Sequence, residues 1–466
     1  MTGDEAPRLG RGAVPGAAAP MRIVHLGLGA FHRAHQAWYT ARATDAADWG
    51  IAAFTGRSSR TATLMAEQDC VYTLVERTPD GDRCEAVGSI VHASPGDEVD
   101  GFAAAVANPA VAVLTLTVTE AGYRLDAGGE PDMRDPEVRG DAAVLRSLAR
   151  GEAAPTARPR TALGRVLWAL DRRHRAGAPP LAVVPCDNLP DNGATVQRAL
   201  ELLADEVAPG RAEAVRRTAA FVSTSVDRIT PRAGPADIAA VTAATGRHDA
   251  VPVVTEPFSD WVLCGEFPSG RPAWETAGAR FTDDLAPWEA RKLWLLNGAH
   301  TLLAATGPRR GHRTVAEAIA DPVCRARTEA LWDEAERHLP DLGLRRYRSD
   351  LIERFANPRI EHRLDQIAED ALTKLRLRIA PVALAERAAG RSAAACAEAI
   401  AAWALANCGR PGHPATASAL LERLSPDLAA DADFAATVLC AVRSPSTLRP
   451  TPPPRKGPQC ASTRPR

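Results

Sequence analysis

No run of apolar residues in this 466-residue chain approaches the ~20 needed to cross a bilayer. The first 20 residues lack a continuous apolar stretch as well. Ala, Gly and Pro are mixed there with Arg8 and Arg11, which argues against a secretion signal and predicts a disordered leader, with Met21 a candidate start. Neither sign of charge is in excess, 56 basic against 57 acidic residues, so neither nucleic acid nor an anionic membrane is expected as the main partner. The nine cysteines contain no CxxC pair. An odd, dispersed set predicts free thiols in a reducing compartment and removes the usual zinc spacings. The expectation is a cytoplasmic protein without a metal. No internal repeat is visible.

The first half alternates apolar strands with helical patterns. Residues 22–28, 51–55, 111–119, 181–185, 219–226 and 251–255 read as strands, with helices at 33–46, 141–150, 161–176 and 194–207. That rhythm predicts an α/β Rossmann-like, doubly wound parallel sheet. From about residue 286 the strands stop, and helices are expected at 287–306, 313–338, 348–356, 361–389, 393–407 and 414–424. The predicted division is a leader at 1–20, a dinucleotide-binding domain at 21–280, a mainly α-helical substrate and catalytic domain at 281–443, and a Pro-rich disordered tail at 444–466.

The most informative stretch is Lys292-Leu293-Trp294-Leu295-Leu296-Asn297-Gly298-Ala299-His300. Read as an α-helix, it places Asn297 and His300 one turn apart on one face, with Lys292 about 80° from His300 at roughly 100° per residue. Lys292 then projects into the edge of a leucine stripe. Desolvation and the positive end of the helix dipole both disfavour an ammonium there, which suits a general base. An amide and an imidazole beside it can hold an oxygen. The plain alternative is a snorkelling lysine with two capping or core polar residues.

At the other end, Ile23-Val24-His25-Leu26-Gly27-Leu28-Gly29 is a strand running into a GxG turn, which lets a pyrophosphate approach the following helix start. Gly27, Gly29, Ala30, Phe31 and His32 are the candidate cofactor-binding residues, His32 standing where a third glycine is usual. The second strand runs Phe54-Thr55-Gly56-Arg57-Ser58-Ser59-Arg60, without the carboxylate that commonly holds the adenosine ribose. Arg57 or Arg60 could meet a 2′-phosphate, which leaves NADP open beside NAD. Thr119 and Glu120 close the next strand and are candidate ribose contacts, or a plain strand end. Asn188 follows a buried strand at the sheet edge where ligands bind, and Asn192 is a candidate helix cap. Asp227 and Arg228 occupy another strand end, either as a site or as a local ion pair closing the loop. If these strand ends converge with Lys292, Asn297 and His300, they form a hydride-transfer site in which Asn188 and Asn297 steady an alkoxide.

Val24-His25-Leu26-Gly27-Leu28-Gly29-Ala30-Phe31-His32-Arg33-Ala34-His35-Gln36 resembles the opening signature of the mannitol dehydrogenase family, the polyol-specific long-chain dehydrogenases. So do Thr117 to Tyr123, Cys186 to Gly193, Val226 to Pro231, Glu256 to Val262, Gly270 to Glu275, Lys292 to His300, and Phe355-Ala356-Asn357-Pro358 with His362. The resemblance runs over roughly residues 21–385. It implies an NAD(P)-dependent, zinc-independent secondary alcohol dehydrogenase with Lys292 as base, Asn188 and Asn297 as the oxyanion pair and His300 on the substrate. Asp227 would contact a substrate hydroxyl, and Glu289 matches a position linked to proton passage. Lys374 and Arg378 match residues pointing to the site, although Asp370-Ala371-Leu372-Thr373 stands where the family has Asp-Gly-Ser. The usual last helix of the family gives way to the tail after about residue 442.

Within the family the segments Asp48-Trp49-Gly50-Ile51 and Pro287-Trp288-Glu289 are more similar to the mannonate (fructuronate reductase) branch than to mannitol 2-dehydrogenases. D-mannonate/D-fructuronate is therefore the expected pair, with D-mannitol/D-fructose the alternative. A small-molecule sugar alcohol or sugar acid is the expected partner, for a monomer or small homo-oligomer. A non-catalytic dinucleotide-binding sensor is the competing class, and a structural protein would leave the polar strand ends unexplained.

Overall fold

Strands Leu181–Pro185 and Val113–Leu116 are buried at every residue, the near-continuous apolar pattern of parallel strands covered on both faces. The computed structural model describes residues 6–56, 58–150, 157–369, 371–410, 413 and 415–443. Six strands form the main sheet: β1 (Met21–Leu26), β2 (Gly50–Phe54), β3 (Ile90–Ser94), β4 (Val113–Leu116), β5 (Leu181–Pro185) and β6 (Ala219–Phe221). All neighbours are parallel, in the order β3-β2-β1-β4-β5-β6. The order reverses between β1 and β4, and the crevice outside the carboxyl ends of such a switch point is where dinucleotides bind. In register, Val24 of β1 sits between Ala52 of β2 and Leu114 of β4.

One face of the sheet packs Phe54, Phe102, Leu167, Trp168 and Leu200. The opposite face packs Trp38, Tyr39, Tyr72, Trp261 and Trp274. Burying one such side chain contributes about 1.5–3 kcal/mol, so these layers hold the strand ends in place. Two small sheets flank the main one. Tyr72–Thr78 pairs with Gly81–Val87 and Val253–Thr255, and Asp260–Cys264 pairs with Ser223–Asp227 and Arg280–Phe281.

The chain forms two compact units that divide between Glu289 and Ala290, inside the helix Ala286–Arg291. In the first unit two expectations need correction and one element was not foreseen. The strand expected over 219–226 is two strands in different sheets, parted at Val222, where Gly193 packs so closely that a side chain on it would collide with Ser223 N. The hairpin Tyr72–Thr78/Gly81–Val87 was not expected, because Glu76, Arg77, Asp82, Arg83 and Glu85 break its apolar pattern. Residues 6–20 are not a disordered leader. His248 N–H donates to the Pro7 carbonyl at 2.9 Å and Leu9 N–H to the His248 carbonyl at 2.8 Å. The Arg11 guanidinium reaches the carbonyls of Gly88, Asp69 and Ile90, and Leu9 is buried.

Among its described residues the second unit is helical, with one isolated bridge between Thr314 and Arg363. The helix expected over 313–338 is two, Val315–Ala320 and Pro322–Glu336, because Asp321 accepts from Val323 N at 2.8 Å and Pro322 cannot donate to the turn before it. The span 361–389 is three, Leu364–Ile367, Ala371–Arg378 and Ala380–Ala388. The expectations for Arg57, Asp370 and the tail 444–466 lie outside the described residues. No helix among the described residues is long and apolar enough to cross a membrane.

Candidate active site

Gly27 turns the chain out of β1 with φ +117°, and the turn is clamped from both sides. The Gly27 and Leu28 amides both donate to the Phe54 carbonyl at the end of β2, at 2.8 and 2.9 Å. From β4, the Thr117 hydroxyl donates to the Gly27 carbonyl at 2.8 Å. Gly29 then caps the helix Ala30–Ala34. A side chain on Gly29 would meet nothing closer than the Gly27 carbonyl at 3.5 Å. The loop is thus backed by protein and open in front, with the unpaired amides of a first helical turn beside it. These features fit a dinucleotide pyrophosphate.

His32 takes a different place from the one expected. Its imidazole is fully buried and stacks on His25, centroids 3.3 Å apart and planes 9° apart, so the ring supports the loop from beneath instead of facing a ligand. His25 bridges to the Thr115 and Thr117 hydroxyls at 2.8 and 3.1 Å. Of the arginines considered for a 2′-phosphate, Arg60 is exposed at the start of the helix Arg60–Ala66. Thr119 and Glu120 are exposed just past β4.

Burial holds the His25 imidazole down at about 3, and drives those of His32 and His300 well below the usual range. The unfolded chain takes these protons near pH 6.5 and the folded chain does not. Stability is therefore full above about pH 6.5 and falls as pH drops toward 3, by about 1.4 kcal/mol per pH unit for each such histidine. At pH 5 His25 alone costs about 2 kcal/mol. Urea unfolding at pH 7.5 and 5.0 checks this, and equal free energies at the two pH values would refute it.

Asn188 is exposed immediately after β5. Its neighbour Asp187 is clamped, accepting from the Tyr123 hydroxyl at 2.6 Å and from Leu189 N at 3.0 Å. Asn192 is not the expected cap. Its amide is buried and ties the Pro185 carbonyl at the end of β5, at 3.3 Å, to the strand Ser223–Asp227, accepting from Thr224 N at 2.8 Å and donating to the Thr224 carbonyl at 3.2 Å. The Glu289 carboxylate accepts from Asp191 N at 3.1 Å. Asp227 closes the strand Ser223–Asp227 opposite Asp260. The reading of Arg228 as a loop-closing partner of Asp227 gives way to an inward guanidinium, paired with Glu76 at 2.7 Å and lying 4.3 Å from the Trp38 ring centroid.

In the second unit, Lys292–Asn297 is one wide π turn between the α-helices Ala286–Arg291 and Gly298–Thr306. The Gly298 amide donates to the Leu293 carbonyl five residues back. This changes the angular reading. On an α-helix residues five apart stand about 140° apart. A π turn closes i→i+5, so Lys292 and Asn297 come to the same side. Lys292 is half-buried and lies beyond the first turn of its helix, where the dipole argument no longer reaches.

His300 is buried, 4.8 Å from the Phe355 ring and edge-on to His362 at 4.6 Å, with its Nε2 unpartnered. Arg378 donates to the Thr301 hydroxyl at 3.2 Å and the Asn297 carbonyl at 3.4 Å, which puts it beside the π turn. Lys374 behaves differently. Its ammonium is spent on the carbonyls of Ile367, at 3.0 Å, and Glu369, the end of the preceding short helix. Trp332 is a supporting residue that the sequence reading passed over, and Thr117 and Tyr123 stood in a family-like segment without these roles. Each acts by contact across the fold, and no local pattern marks them.

Among the described residues, one trio has metal-ligand spacing: His312, Asp321 and Cys324. Asp321 already accepts from Arg310 at 2.7 Å, His312 at 2.9 Å and two helix-start amides, which makes it a loop knot.

Comparison with known proteins agrees with the geometry. The mannitol dehydrogenase Rossmann domain matches residues 21–276, and the mannitol dehydrogenase C-terminal domain matches 284–413. D-mannonate oxidoreductase of Escherichia coli K12 is 36% identical over 371 residues, 77% of this chain and 74% of that one. Mannitol 2-dehydrogenase of Cereibacter sphaeroides is 37% identical over 349 residues, 72% and 70%. The structure of Pseudomonas fluorescens mannitol 2-dehydrogenase in a ternary complex with NAD and D-mannitol superposes with a TM-score of 0.77 at 31% identity, covering 95% of this chain and 96% of that one.

Proposed function

The chain belongs to the mannitol dehydrogenase family, and from that membership we propose an NAD(P)-dependent oxidoreductase that interconverts D-mannonate and D-fructuronate. The observation that carries the choice of a sugar acid is the field around His300. The Arg378 guanidinium donates to the Thr301 hydroxyl and the Asn297 carbonyl, and after burial it acts with His362 and Arg354 to hold the His300 imidazole neutral. A substrate carboxylate answers that field, and a guanidinium is the side chain best shaped to grip one. Identities of 36% and 37% to a mannonate and a mannitol enzyme do not separate the two, and the guanidinium beside the π turn supports the sugar acid.

In this reading Lys292 takes the proton from the reacting hydroxyl. The amides of Asn188 and Asn297 donate to the oxygen as negative charge grows on it, which lowers the barrier by electrostatic preorganisation. Neutral His300 orients a hydroxyl, Asp227 accepts from another, and Arg378 holds the carboxylate. A dinucleotide held by its pyrophosphate at the Gly27–Gly29 loop would supply the hydride acceptor or donor. The position of Lys374 favours Arg378 as the substrate cation.

The test is NADH oxidation with D-fructuronate and D-fructose side by side. The expected result is turnover on fructuronate with little on fructose. Loss of one charged hydrogen-bonding partner is worth about 1.5–3 kcal/mol, so Arg378→Leu should raise KM for fructuronate by about 10- to 100-fold. Preferred turnover on fructose would reassign the chain to mannitol/fructose.

A further inference from the structure

We infer that Trp332 is a positioning residue that sets the register of the catalytic turn. The inference rests on the reading of Lys292 and Asn297 as the reacting pair. A helix widens where something outside its own ladder takes one of its backbone groups. Within Lys292–Asn297 that group is the Leu295 carbonyl, which accepts the indole N–H of Trp332 at 2.7 Å. Trp332 stands on the helix Pro322–Glu336 and is 1% exposed. Water therefore cannot readily replace its N–H, and the Leu295 carbonyl would keep only the shared Gly298 amide.

The same indole lies 6.4 Å from the Phe355 ring, and Phe355 lies 4.8 Å from His300. One side chain thus backs both the wide turn and, through Phe355, the imidazole one turn further on. The geometry gives the turn a reason to exist. In an α register Lys292 and Asn297 would diverge by about 140°, and a base and an oxyanion donor so placed cannot meet one oxygen. The Gly298 amide reaches both the Leu293 and the Leu295 carbonyls, and the indole is the second donor on Leu295. Without it the segment loses the contact from outside its own ladder, and the α register competes with the wide turn.

The test uses the full chain and Trp332→Phe, which keeps an aromatic ring and removes only the donor. If it fails to fold, Trp332→Met fills similar space without a donor and is read the same way. Phe434→Leu, in a buried position on the helix Ala432–Arg443, serves as a destabilised control. Assays use whichever of D-fructuronate and D-fructose the parent reduces with NADH.

The expected result is a fall in kcat of at least tenfold, with KM and dinucleotide affinity within about threefold of the parent. The pH midpoint of kcat should move, and amide exchange should change across 292–300. Phe434→Leu, at a similar loss of melting temperature, should keep both kcat and the pH midpoint. A Trp332→Phe enzyme with parental kcat and a superimposable pH profile would overturn the inference, as would an equal loss in Phe434→Leu. Failure of the underlying reading looks different, because Lys292→Ala would then retain turnover whatever Trp332 does. The exchange measurement reports on the turn without any turnover at all.

Discussion

Lys292→Ala is expected to lower kcat by about 10²- to 10⁴-fold, the usual contribution of a positioned general base, while leaving dinucleotide affinity unchanged. The side chain is half-buried at the start of the π turn, so its removal opens no large core cavity and the protein should fold. The effect should fall on kcat more than on KM, because the proton is transferred in the transition state and not on binding. The dinucleotide loop is built from Gly27, Phe54 and Thr117 in the first unit, and none of these depends on residue 292. Stopped-flow turnover and a calorimetric NADH titration on the same preparation check the two halves of the statement. Turnover within a fewfold of the parent would remove Lys292 from the mechanism and favour a dinucleotide-binding sensor.

Gly27→Ala should damage the first unit as severely as Lys292→Ala damages chemistry. An added methyl would lie 2.4 Å from the Thr117 carbonyl oxygen and 2.6 Å from its hydroxyl. Neither can retreat, because Thr117 is tied to Gly27 and His25 by its hydroxyl and to Leu26 through its amide. The φ of +117° lies outside the small left-handed region that other residues reach. Backbone strain costs about 1–3 kcal/mol, and overpacking costs about as much again. The expected outcome is a lower urea midpoint together with NADH binding weakened by at least tenfold.

Gly29→Ala separates the two causes. Its methyl meets only ordinary contacts at an extended φ of −136°. The parental urea midpoint should survive, and NADH affinity should still fall if the pyrophosphate lies over that residue. Unchanged NADH affinity in Gly29→Ala would place the phosphates elsewhere.

Much of this was legible in the chain itself. Long apolar runs such as 181–185 must be buried on both faces, and their alternation with helices leaves little choice but a parallel sheet. The GxG at 27–29, the strand-end Asn188 and the cluster Lys292, Asn297 and His300 are local patterns whose chemistry depends on residue type and spacing. What misled was also local. The charged hairpin at 72–87 hides its alternation, and the low-complexity stretch at 6–20 is ordered only because Arg11 finds three backbone carbonyls far away in sequence. His32 looked like a cofactor contact from its place in the loop, yet its burial comes from its partner His25 and not from its neighbours in the chain.

The sequence alone determined the doubly wound sheet, the helical second half and the glycine turn, and it singled out Lys292, Asn297 and His300 as candidates, because these follow from periodicity and side-chain chemistry. Only the tertiary structure decided which way those groups point. Helical periodicity assumes about 100° per residue, and the segment departs from it at Lys292–Asn297, where an indole from a helix 37 residues away takes the Leu295 carbonyl. Arg378 and Lys374 are alike on paper. Arg378 meets the π turn and Lys374 a helix end, because a long flexible cation goes wherever the packed backbone leaves carbonyls to satisfy.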